Sequence, residues 1–79
     1  MKNSIKVKCI EGFKLYTNGG KELFADVESG EYVANLFKRT EEYFAKDFQG
    51  REFLVGEIDI NGELVLKEGF ELIKNGNFK

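Results

Sequence analysis

The chain has 79 residues and a mass of 9.0 kDa, enough for one domain, expected to span 1–79 with a core over about 5–73 and a polar tail at 74–79. Apolar residues make up 42% and charged residues 33%, the balance of a folded globular domain rather than a disordered segment. There is no His, Pro or Trp, and Cys9 is the single cysteine. This excludes His-based acid–base catalysis, Ser–His and Cys–His nucleophilic pairs, intrachain disulfides and His/Cys zinc sites.

Residues 5–10 alternate apolar and charged (Ile-Lys-Val-Lys-Cys-Ile), which predicts a half-buried first strand with Cys9 as buried filler. Residues 12–20 carry Phe13, Leu15 and Tyr16 into an Asn18-Gly19-Gly20 turn. Leu23, Phe24 and Val27 fall on one helical face, so a short helical turn is expected near 21–28, with Gly30 as its stop. Residues 31–47 fit two patterns. As one helix, Val33, Leu36, Phe37, Phe44 and Phe48 form a stripe, and the domain is α+β. As two strands, Tyr32, Ala34 and Leu36 share a face and residues 38–41 turn. The aromatic and β-branched content favours the strands.

Phe48-Gln49-Gly50-Arg51 reads as a tight hairpin. The strand that follows places Phe53 and Val55 on one face, and Gly56 within it marks a bulge or bend. Asn61-Gly62 predicts a second hairpin, of type I′. Leu64 and Leu66 alternate beyond it, and Gly69 separates them from a last short strand at 70–73. Five or six short strands joined by tight turns define a mainly β fold, a small barrel or rolled sheet.

The segments Gly-Glu-Tyr-Val-Ala (30–34) and Glu-Tyr-Phe-Ala-Lys-Asp-Phe-Gln-Gly-Arg-Glu-Phe-Leu-Val (42–55) resemble the strand–turn–strand cadence of small SH3-like barrel proteins of phages and low-GC bacteria. The resemblance spans about residues 5–73 and implies a five- to six-stranded SH3-like barrel with a long first loop over 11–30. Many such proteins are uncharacterised, so it implies no activity. The acidic, Tyr-rich lead and the groove Trp with which SH3 domains hold Pro-rich peptides have no counterpart here.

Twelve basic and fourteen acidic side chains give a net charge of −2, against tight nonspecific binding of nucleic acid. The charges are polarised. Residues 1–14 hold Lys2, Lys6, Lys8 and Lys14 against Glu11, while residues 52–73 hold Glu52, Glu57, Asp59, Glu63, Glu68 and Glu71 against Lys67. The first 14 residues contain no apolar run of signal-peptide type, and a single cysteine suits a reducing interior; the expected compartment is the cytoplasm.

Asp59-Ile60-Asn61-Gly62 looks like the opening of a calcium loop, but Phe70 falls at the twelfth position where a carboxylate is required. No metal or cofactor is therefore expected, and no catalytic residue. Val7, Cys9, Leu23, Phe24, Ala34, Leu36, Phe44, Phe53, Val55, Leu64, Leu66 and Leu72 are expected to fill the core of so small a barrel, so among the eleven Phe and Tyr residues Phe13, Tyr16, Tyr32, Tyr43 and Phe48 are the candidate contact surface. The sequence thus describes an interaction module that binds a protein, another copy or a host factor, and is not an enzyme. The alternatives are a nucleic-acid-associated protein using the basic N-terminal face, or an acidic decoy of nucleic acid.

Overall fold

A computed structural model describes residues 3–17 and 19–73; Lys2, Asn18 of the first expected turn and the 74–79 tail lie outside them. Among the described residues there are eight strands and no helix. These are β1 (Ser4–Cys9), β2 (Phe13–Thr17), β3 (Glu22–Val27), β4 (Gly30–Phe37), β5 (Glu42–Lys46), β6 (Glu52–Ile58), β7 (Leu64–Leu66) and β8 (Phe70–Leu72). Six of them form one antiparallel sheet in the order β7-β6-β5-β4-β1-β8. Its two ends approach each other through the β7–β8 turn, so the sheet nearly closes into a small barrel. The helix over 31–47 does not form: β4 and β5 occupy that stretch.

The long first loop is itself a hairpin, β2 paired with β3. The helical turn expected near 21–28 is strand β3, which buries Ala25 and Val27 at period two. Eight residues are too few to offset helix nucleation, whereas pairing with β2 satisfies the backbone along the whole segment. Phe24 is an extra residue in this ladder, because Leu15 pairs with Ala25 and Tyr16 with Leu23. Leu23 and Phe24, expected in the core, are consequently exposed, as is Leu72.

The core consists of Val7 and Cys9 of β1, Ala25 and Val27 of β3, Ala34 of β4, Tyr43 and Ala45 of β5, Phe53 and Val55 of β6, and Phe70 of β8. Gly56 marks a bulge, as the sequence suggested: Tyr43 pairs with Gly56 but Phe44 with Leu54, leaving Val55 as the extra residue on β6. A Cβ at Gly56 would lie 2.7 Å from the Val65 carbonyl oxygen, so a bare backbone is needed for β7 to pair there.

Two turns share one design. In residues 47–51 the Asp47 carboxylate oxygen Oδ1 accepts the N–H groups of Gln49 and Arg51, each at 2.9 Å. The backbone adds Gly50 N–H to Asp47 O and Asp47 N–H to Arg51 O. In residues 59–63 Asp59 Oδ1 accepts the N–H groups of Asn61 and Glu63 at 2.9 Å, with the same two backbone bonds to its own N–H and C=O. The second turn is therefore not the two-residue type I′ form: Gly62 has φ of 81°, and Asn61 is not left-handed. The aspartate side chain ties up the loop amides, which a two-residue turn leaves no room to do.

Candidate docking surface

The five aromatic residues expected at the surface divide into three groups. Tyr43 is only 1% exposed, on the inward face of β5 between the β4 and β6 backbones, and is core rather than surface. Its alternation with Glu42 and Phe44 decides this, because one face of β5 must be the inner one. Phe13 and Tyr32 are half-buried against Phe53. The Phe13 ring meets Phe53 edge-to-face at 6.4 Å and Phe70 at 5.8 Å, and Tyr32 meets Phe53 at 5.4 Å. Phe53 and Phe70 stack at 6.0 Å. The Tyr32 hydroxyl donates to the Glu28 carbonyl at 2.7 Å, so this amphipathic side chain closes the core with its polar tip at the surface. Tyr16, on hairpin β2–β3, and Phe48, 76% exposed in the 47–51 turn, are open to solvent, but they lie on separate elements.

Asp47 joins the hairpin to the barrel. Besides the turn amides, its carboxylate accepts the Asp26 N–H at 2.9 Å and Arg51 Nε at 2.8 Å. Burial alone would raise this carboxyl, but the Asp26, Arg51 and Gln49 amides and the Arg51 guanidinium outweigh it and hold it down at about 2. Burial pushes the Cys9 thiol and the Tyr32 and Tyr43 phenols up. Cys9 is fully buried, as expected.

A contiguous apolar surface lies instead on the outer face of β4, β5 and β6. Residues Val33, Asn35 and Phe37 point outward from β4 while Tyr32, Ala34 and Leu36 face the core. Val33 is 53% exposed and Phe37 51%. Phe44, expected in the core, also points outward, since Tyr43 and Ala45 on either side of it are buried. The register sets Asn35 across from Phe44, and Phe44 across from Leu54. The β4–β5 ladder pairs residues 35–37 with 42–44. Beyond it the two strands part, and an open groove of about 540 Å³ lies between Val33, Phe37, Phe44, Lys46 and Glu52. The Ser4 hydroxyl, across from Asn35 on β1, donates to Asn35 Oδ1 at 2.6 Å, which ties the Asn35 side chain to β1.

The period-two pattern of Val33, Asn35 and Phe37 was visible in the sequence. The strand reading already set Ala34 and Leu36 inward, but no sequence signal showed that Val33 and Phe37 would border a groove with Phe44. Around the groove the charges alternate in sign. Lys8 lies across from Glu31 on one side and Glu71 on the other, and Lys46 lies across from Glu52. The basic N-terminal set is thus divided, with Lys6 and Lys8 on β1, Lys14 on β2 and Lys2 outside the described residues. The acidic set of 52–73 is spread over β6, the 59–63 turn, the β7–β8 turn and β8. Among the described residues no group of three or more Cys, Asp or Glu side chains could hold a metal ion, and no helix is long and apolar enough to cross a membrane.

Comparison with protein-family models, curated proteins and solved structures finds no match to this chain.

Proposed function

We propose that this chain is a small binding module of SH3-like type that docks a protein through the outer groove of β4 and β5. The observation carrying this reading is the concave apolar surface itself: half-exposed Val33 and Phe37 stand on a sheet paired on both sides, beside Phe44 and with Lys46 and Glu52 at the rim. Exposed apolar side chains grouped in a hollow and edged by charge are typical of protein contact sites. The other exposed cluster, Tyr16, Leu23 and Phe24, rides on a two-stranded hairpin rather than in a hollow of the main sheet. The mixed signs around the groove favour a protein over a polyanion, since Lys8 already has a carboxylate across from it on each side. The module acts by contact and not by catalysis.

A photo-crosslinking side chain introduced at Val33 tests this, with one at the exposed Glu63 position as control. In cells that naturally make the protein, the expected result is a discrete adduct from position 33 and none from position 63. No adduct from position 33, or equal labelling from both, contradicts the reading.

A further inference from the structure

The groove has a complementarity to itself, and we infer that its occupant is the same groove of a second copy of this chain, arranged about a two-fold axis running parallel to the strands between β4 and β5. This rests on the reading of the groove as the docking face. Two features point to a self-fit. The first is shape. Asn35, bonded to Ser4 on β1, is the smallest of the three outward side chains of β4, between Val33 and Phe37, and Phe44 is the bulky residue directly across from it. Rotation about an axis between the two strands lays β5 of one copy over β4 of the other. Each Phe44 ring then enters the saddle between Val33 and Phe37 of the opposite copy, and the contact is made twice.

The second feature is charge. Lys6 is level with Val33 on the β1 flank of the groove, and Glu52 is level with Lys46 on the β6 flank. Their direct register pairing with groove residues puts both on the outer face. Lys6 has no carboxylate across from it: its neighbour on β4 is Val33, and on the β8 side its carbonyl accepts the Ile73 N–H. The same rotation exchanges the two flanks, so Lys6 of each copy approaches Glu52 of the other. Facing sheets pack about 10 Å apart, a gap that a lysine and a glutamate span together. A two-fold axis perpendicular to the strands would instead lay β1 over β1 and keep Lys6 away from Glu52. The charge pattern therefore selects the parallel arrangement. Glu42 and Glu57, which lie across from each other, are left at the wet rim.

A contact made by the outer faces of a few short strands is expected to be weak, with the dimer dissociating at roughly 10–100 µM. Sedimentation equilibrium from low micromolar to millimolar protein should show the mass rising from 9.0 kDa toward twice that value. Phe44→Ser should leave a folded monomer. Lys6→Glu should weaken association about tenfold or more by setting a second carboxylate against that of Glu52, and Lys6→Glu combined with Glu52→Lys should restore it. Thermal melts of each variant separate lost association from lost folding. A wild-type monomer at every concentration overturns the inference. So does a dimer indifferent to Phe44→Ser, or a charge swap that fails to restore association in a folded protein. The crosslink from position 33 keeps the two ideas apart: an adduct of another mass sinks the second copy and spares the docking face, whereas no adduct at all sinks both.

Discussion

Strand β5 carries two contrasting regions on its opposite faces. Inward, Tyr43 and Ala45 lead to Asp47, whose carboxylate ties the 47–51 turn to the β2–β3 hairpin beside the Phe13, Tyr32, Phe53 and Phe70 rings. Outward, Glu42, Phe44 and Lys46 face solvent over a groove. The residue types are nearly the same, aromatic and charged, yet one side is committed to holding the fold and the other is free to make contacts. In a domain this small there is little interior, so residue type alone does not assign a side chain to the core. Strand parity does.

The largest effect should come from the inner region. Phe53→Ala removes the ring on which three other aromatics pack, at a cost of roughly 3–5 kcal/mol. That is comparable with the whole stability of a 79-residue domain, and chemical denaturation should find the variant largely unfolded. A cooperative, only slightly weakened transition would break the distinction between the two faces.

Next comes a pair of matched turns. Asp47 and Asp59 each accept two turn amides, but only Asp47 also bonds the Arg51 guanidinium and reaches another element, through the Asp26 amide. Asp47→Ala should therefore lower Tm by on the order of 10 °C, and Asp59→Ala by only a few degrees. Equal losses would mean that the turn bonds, and not the link to the hairpin, carry the effect.

The pH profile sharpens the same point. The Asp47 carboxyl is depressed in the folded state, so its contribution is complete above its ordinary value near 4 and is lost as pH falls toward about 2. The Cys9, Tyr32 and Tyr43 groups are raised when folded. Their contribution is complete below their ordinary values of 9 to 10 and is lost as pH rises beyond them. Thermal melts from pH 2 to 11 should fall at both ends, and Asp47→Ala should flatten the acid limb. An unchanged acid limb would remove Asp47 from its cause.

A smaller effect on folding belongs to the outer region. Phe44→Ser removes a partly buried ring and should cost roughly 1–2 kcal/mol, well below Phe53→Ala, while abolishing self-association. A loss as large as that of Phe53→Ala would show that Phe44 is core after all.

The barrel was legible because its signals are local: alternation at Val7 and Cys9, turns at Gly50 and Gly62, and a bulge at Gly56. The outer face of β4 and β5 was legible only in part. Tyr16 and Phe48 are exposed, but Tyr43, expected at the surface, is buried, and Phe44, expected in the core, stands on the outer face, as strand parity imposes. Adjacent aromatics in a strand look alike until the sheet has an inside. Leu23 and Phe24 were misassigned because the extra residue in β3 shifts the alternation, and no glycine marks that bulge. The link from Asp47 to Asp26 spans 21 residues and leaves no local trace in the sequence.

The proposed pairing of two copies through their β4–β5 grooves has a direct readout. Amide spectra of labelled protein, recorded by two-dimensional NMR from about 20 µM to 1 mM, test it residue by residue. Concentration-dependent shifts are expected at Lys6, Val33, Asn35, Phe37, Phe44 and Glu52 alone, with Tyr16, Phe48 and Ile60 unmoved. Shifts centred on the β2–β3 hairpin, or none at all across that range, would contradict it.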